Sequence, residues 1–178
     1  LLLRRLPVAS PCRYPPVYVN QLPLTEMGLT VPPGRTHRFY SGPAEFDFGA
    51  GLSHTPWAVE WDAPRPPALR WLGARAPDAR AAVRVRVRNT GSRAARLTVL
   101  AFVRPLGGQL RGARQKLVAF GGVGELPPGG EAPLALEFAP THLAAADAAG
   151  AAAGAEGAYE LLIRADGEHE LSSLFSVV

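Results

Sequence analysis

Five carboxylates, Glu26, Glu45, Asp47, Glu60 and Asp62, lie before residue 63. Two carboxyl groups held on opposite sides of a bond can act as general acid and general base. Acidic residues beside turns and linkers more commonly cap backbone N–H groups or face water. Ser53 is followed directly by His54, a nucleophile type beside a base type. Neighbouring side chains in extended backbone point to opposite sides, and the run is no Gly-x-Ser-x-Gly elbow, so this pair predicts no nucleophilic site. His37, His54, His142 and His169 lack close ligand spacing, and Cys12 is the sole cysteine, so neither a metal nor an internal disulfide is expected. Pro33-Gly34-Arg35 and Gly121-Gly122-Val123-Gly124 are glycine turns with no following Lys-Ser/Thr, which leaves no phosphate cradle and no expected cofactor.

Charge narrows the partners. The chain of 178 residues carries 19 Lys and Arg against 15 Asp and Glu, a net +4 spread along its length. Nucleic-acid binding needs a concentrated basic face, so no nucleic-acid partner is expected. The tightest group, Arg84, Arg86 and Arg88, alternates with Val83, Val85 and Val87, the pattern of a half-buried strand with arginines in solvent. No apolar run approaches the roughly 20 residues that span a bilayer, so no membrane partner is expected either. Leu1-Leu2-Leu3-Arg4-Arg5 is too short for an export signal and has its basic residues on the wrong side. Beginning at Leu1 without Met, the chain reads as a piece of a longer protein.

The elements that must position these groups divide in two. Pro7, Pro11, Pro15 and Pro16 forbid a long helix at the start, and Val17-Tyr18-Val19 reads as a short strand. From Pro33 to Thr55 the chain is dense in Arg, His, Gly and aromatics. Phe39-Tyr40-Ser41-Gly42-Pro43 joins two aromatics to turn chemistry, and Phe46 and Phe48 alternate into Gly49-Ala50-Gly51. That pattern predicts a buried, irregular junction in which Arg35 and Arg38 could hold partner carboxylates. Trp57, Trp61 and Trp71 bracket Pro64, Pro66 and Pro67, which reads as a linker over Ala58–Pro77 with a domain boundary near residue 60.

Beyond it the rhythm is all-β. Strands are predicted at Ala82–Arg88, Leu97–Val103, Gln115–Gly121, Ala132–Phe138, Tyr159–Ala165 and His169–Val178, with turns at Asn89–Ser92, Pro105–Gly108, Pro127–Gly130 and Asp166-Gly167. Ala144–Gly157 reads as a mobile loop or a frayed helical turn. This spacing predicts an immunoglobulin-like β-sandwich without the Cys–Trp–Cys pattern, hence of the fibronectin type III kind.

Several runs resemble glycoside hydrolase family 3, the β-glucosidase and β-xylosidase family. Phe48, Gly49, Gly51, Leu52, Ser53 and Thr55 match its Phe-Gly-x-Gly-Leu-Ser-Tyr-Thr segment, with His54 in place of the tyrosine. Upstream, Leu6-Pro7-Val8 is similar to its Leu-Pro-Val/Thr element, and Val19-Asn20-Gln21-Leu22-Pro23-Leu24-Thr25-Glu26-Met27 to the Val-x-x-Val-Pro-Met-Thr-Asp-Met run of the xylosidase-like branch. Ser10–Arg13 departs from the Thr-Trp-Tyr-Pro expected between them. Downstream, Val85-Arg86-Val87-Arg88-Asn89-Thr90-Gly91 resembles the opening of the family's fibronectin type III-like domain. Leu117–Phe120, Pro128-Gly129 and Gly157–Leu161 follow in the family's order.

The resemblance implies a parent enzyme that hydrolyses terminal β-glycosidic bonds in xylan- or glucan-derived saccharides with retention, outside the cell or in the cell wall. It places the nucleophilic aspartate in an upstream barrel and the acid/base glutamate earlier in an α/β sandwich, and no run here matches either motif. The fold expected is therefore an all-β sandwich, residues 61–178, preceded by an irregular remnant of an α/β sandwich domain, residues 1–60. The expected role is docking on the upstream catalytic domains of the same parent chain through Arg38, Phe39, Tyr40, Phe46, Phe48 and Trp57, with the chain catalytically silent alone. The rival reading is an autonomous module in which Trp57, Trp61 and Trp71 contact polysaccharide or another protein.

Overall fold

A computed structural model of the chain describes residues 25–42, 47–62, 70–71, 80–107, 109–146, 149–150, 152–153, 156–166 and 169–177. The proline-rich opening, Cys12, the Val17–Val19 strand, the upstream half of the Val19–Met27 run, Glu45 and Phe46 lie outside these residues.

Alternation builds the first sheet. In β3 (Ala81–Asn89) the valines at 83, 85 and 87 are buried while Arg84, Arg86 and Arg88 are exposed, as a strand with one wet face requires. β1 (Trp57–Trp61) and β6 (Glu131–Phe138) flank it antiparallel, with Val59 opposite Val87 and Leu134 opposite Val85. The wet face carries cross-strand ion pairs, Arg86 to Asp62 at 2.7 Å and Arg88 to Glu131 at 3.6 Å.

The second sheet runs in the order β2 (Arg70–Trp71), β10 (His169–Val177), β9 (Gly157–Ala165), β4 (Ala95–Pro105), β5 (Lys116–Leu126). Its pairs are antiparallel except the two-residue contact of β2 with β10. The sheets close a core of Trp57, Val83, Val85, Val87, Leu136 and Phe138 against Leu97, Val99, Tyr159, Leu161, Ile163 and Phe175. Phe175 stacks on Tyr159 at 5.4 Å and meets Phe138 edge-on at 6.2 Å, the offset and T-shaped geometries that ring quadrupoles favour. The chain is thus an all-β sandwich, and among the described residues the segment before it carries the helical turn α1 (Thr36–Phe39).

Three details differ from the pattern reading. Gly121-Gly122-Val123-Gly124 continues β5 instead of turning, because Gly121 and Gly122 pair with Val99 and Thr98 and the side chains of Leu134 and Leu136 fill the space over Gly121. Ala58–Trp61, read as the start of the linker, belongs to β1, because Trp57 and Val59 complete the core. Within the Ala-rich loop, β7 (Ala145–Ala146) and β8 (Ala152–Ala153) form a two-rung antiparallel ladder.

The chain leaving β6 folds back beside β5. His142 Nδ1 lies 3.0 Å from Val118 O, and Lys116 Nζ donates to Ala144 O at 3.3 Å.

Candidate functional site

The site is a seam where the segment before β1 lies on the outer face of the second sheet. β4 is buried at five consecutive positions, Val99 to Val103, and β9 likewise from Leu161 to Ala165. Alternate residues of a strand face opposite sides, so burial on both sides means that something covers the second face. Leu100, Phe102 and Leu162 form a separate apolar cluster there, and Phe48 and Leu117 pack against it. His37 stacks on Phe48 with ring centroids 4.2 Å apart, and both rings stand edge-on to Phe102 at 6.2 Å. Arg164 lies over the same Phe102 ring, its Cζ 5.4 Å from the centroid. Gly49, between these contacts, has φ +91°, and a Cβ there would overlap the Leu100 side chain, so the glycine is required on both counts.

A second contact runs through the backbone. Arg38 O accepts from Arg114 N at 2.6 Å and Gln115 N at 3.4 Å, while Arg114 Nη1 donates to Tyr40 O at 3.2 Å. Tyr40 is buried and Phe39 packs on the sandwich core. Arg38, Phe39, Tyr40 and Phe48 therefore engage the chain's own sandwich. Trp57 is only 1% exposed, and its Nε1 donates to Ser53 Oγ at 2.8 Å. It therefore offers no face for stacking a sugar, and the Ser53 hydroxyl is committed to holding the indole.

Among the described residues the carboxylates do not converge on a common partner. Glu26 Oε1 accepts from Gly28 N at 2.7 Å, Asp62 is paired with Arg86, and Asp47 and Glu60 are exposed, Glu60 opposite Arg86 in the ladder.

The residue that pattern reading undervalued is Asn89. Read as a turn residue, it is fully buried and joins three parts of the chain. Its Nδ2 donates to Arg93 O at 2.7 Å and Leu126 O at 2.9 Å, and its Oδ1 accepts from Gly91 N at 3.0 Å and from the Thr55 hydroxyl at 3.4 Å. Thr90 N donates to Pro56 O at 3.1 Å beside it. A Cβ on Gly91 would overlap Thr55 Oγ1, which is why this turn takes glycine. The two most recognisable runs, ending at Thr55 and at Gly91, thus meet in space.

Burial first, and the neighbouring Arg38 charge second, push the His37 imidazole below the ordinary histidine value of 6.5. The packed seam holds it neutral, so its contribution is complete above that value. It is lost as pH falls below 6.5 toward the lowered folded value, because the undocked histidine takes up protons more readily. Limited proteolysis of the 34–55 region should accelerate between pH 7 and pH 5, and His37→Phe should flatten the dependence.

No family model matches the chain. Over 112 residues, 56% of its length, it is 40% identical to a probable exo-1,4-β-xylosidase of Aspergillus clavatus, and the match spans 14% of that protein. Over 45 residues it is 51% identical to β-D-xylosidase 1 of Arabidopsis thaliana, spanning 24% of this chain and 6% of that one. Among solved structures, a family 3 glycoside hydrolase described as an exo-β-xylosidase in complex with a xylobiose aziridine probe superposes with a TM-score of 0.70 at 20% identity. That match covers 93% of this chain and 23% of that one. A β-glucosidase from Erythrobacter marinus superposes with a TM-score of 0.66 at 26% identity, covering 90% and 20%. The chain therefore spans a small part of the length of the proteins it matches.

Proposed function

We propose that this chain, whose relatives are β-xylosidases and β-glucosidases of glycoside hydrolase family 3, is the C-terminal structural portion of such an enzyme. It would hold the end of the preceding α/β domain against a fibronectin type III-like sandwich. The parent enzyme would remove terminal β-linked sugars from xylan- or glucan-derived saccharides outside the cell or in its wall. This portion would supply architecture to it, with catalytic carboxylates contributed by upstream domains.

The observation that carries the reading is the seam itself. A second apolar cluster on the outer face of the sandwich is packed by Phe48 and His37, which belong to the stretch with the family's closing motif. A free module would have no use for such a cover. Met27, Leu29 and Leu52, more than half exposed on the same segment, are apolar side chains that further domains could cover. The handover between the two parts would fall just before Trp57, where β1 begins, close to the boundary expected near residue 60.

The test is an assay of the purified chain on aryl β-xyloside and aryl β-glucoside. No turnover above buffer is expected. Measurable turnover that survives repurification and is removed by Asp62→Asn or Glu60→Gln would overturn the non-catalytic role.

A further inference from the structure

The wet face of the first sheet holds a cleft of about 440 Å³, lined by Asp62, Arg84, Pro133, Leu134 and Ala135. That volume falls within the range of small-molecule sites. Strand register brings the lining together. Arg84 stands opposite Ala135 and Arg86 opposite Pro133 in the β3–β6 ladder, while Asp62 N donates to Arg84 O at 3.1 Å on the other flank. Arg84, Pro133 and Ala135 are exposed where Val83, Val85 and Leu136 are buried, so the three share the solvent side of the sheet.

The polar groups of the cleft have capacity to spare. Asp62 Oδ1 accepts from Arg86 Nη2 at 2.7 Å, and its second oxygen takes no further hydrogen bond among the described residues. Arg88 is paired with Glu131 at 3.6 Å. Arg84 is the arginine of the row that, among the described residues, has no carboxylate within 4.0 Å. Beside it Pro133 and Ala135 make a floor without a polar side-chain atom. An acceptor oxygen, a fork of fixed donors and an apolar floor around one space suit a ligand that carries both hydroxyl groups and C–H surface.

Charge selects among such ligands. The same face sets Arg84, Arg86 and Arg88 against Glu60, Asp62, Glu131 and Glu137. A strongly charged ligand of either sign would meet its like beside its partner, which costs affinity. An uncharged one avoids that cost and can use Arg84 and Asp62 together.

We propose that this cleft binds a neutral oligosaccharide. One sugar ring lies with its C–H face on Pro133 and Ala135, one hydroxyl donates to Asp62 Oδ2, and an adjacent hydroxyl accepts from the Arg84 guanidinium. The uncharged character follows from the charges of the face. The choice of a xylose oligomer as probe rests on the glycosidase kinship proposed above.

The experiment is an amide NMR titration of the full chain with xylotriose, trigalacturonic acid and triglycine. Xylotriose at millimolar concentration should move the amide signals of Asp62, Arg84 and Ala135 and leave Leu161, on the other sheet, in place. Arg84→Met, which keeps the stem and removes the donors, should weaken binding about tenfold. Ala135→Gln, which fills the cleft, should abolish it, both at unchanged melting temperature. Arg114→Gln on the other sheet should change nothing. Absence of shifts with xylotriose, shifts that include Leu161 equally, or shifts that persist in both cleft variants overturn the site. Tighter binding of trigalacturonic acid or triglycine than of xylotriose overturns the neutral saccharide as its ligand. None of these results bears on whether the chain is catalytically silent, which the aryl glycoside assay reads separately.

Discussion

Asn89→Ala should lower the free energy of unfolding by about 3 kcal/mol. The substitution leaves Arg93 O and Leu126 O without the Nδ2 donor, and Gly91 N and the Thr55 hydroxyl without their acceptor. Each buried polar group stranded in this way costs roughly 1–3 kcal/mol. The site has little room to admit water in compensation, because Asn89 is completely buried. Asn89→Asp separates hydrogen bonding from packing, since it keeps the shape and replaces the amide donor with an oxygen facing two carbonyls. It should be at least as damaging at neutral pH and should recover in acid, where the protonated carboxyl can donate again. Urea denaturation at constant m-value reads both effects. A loss below about 1 kcal/mol for the alanine variant would show that the three joined segments are held by other contacts.

Phe102→Ala should cost about 3–5 kcal/mol, the usual range for deleting a buried phenylalanine ring. The distinctive effect is local. Phe102 is the surface on which Phe48, His37 and Arg164 meet, so its loss should release the 34–55 segment while the sandwich stays folded. Phe138→Ala supplies the comparison, because that ring lies wholly between the sheets. Both variants should lose similar overall stability. Only Phe102→Ala should raise amide exchange in the segment well above that in β3. Equal exchange in the two variants would mean that the segment and the sandwich unfold as one unit.

The sandwich was legible because alternation is a strong signal. Valines at 83, 85 and 87 with arginines between them leave one register for β3, and a one-residue slip would bury the arginines. The seam was half legible. Aromatics followed by small residues around Phe48 implied burial but could not say against what, and the receiving surface lay far along the chain. Its trace was present in the unbroken apolar run Val99–Val103, where continuous rather than alternating hydrophobicity marks a strand covered on both faces. Asn89 was hidden for another reason. An asparagine followed by Thr-Gly carries the same turn chemistry whether its amide faces water or bridges distant strands. The glycines of β5 misled because their turn propensity is local, while Val99, Leu134 and Leu136 that fix them as strand are not.

His142 beside Val118 O, together with the Lys116 bond to Ala144 O, has a bearing on colloidal behaviour. A β-sheet with an open margin templates pairing with another molecule. Here His142, on the chain's own return from β6, stands against Val118 O at the margin of β5, and the opposite margin is the two-residue β2. β6, at the margin of the other sheet, carries Pro133, which has no N–H to offer. The sandwich is thereby biased against growing into a ribbon or fibril by adding strands. The remaining margin, β1, is five residues long, which gives strand addition there little length to build on.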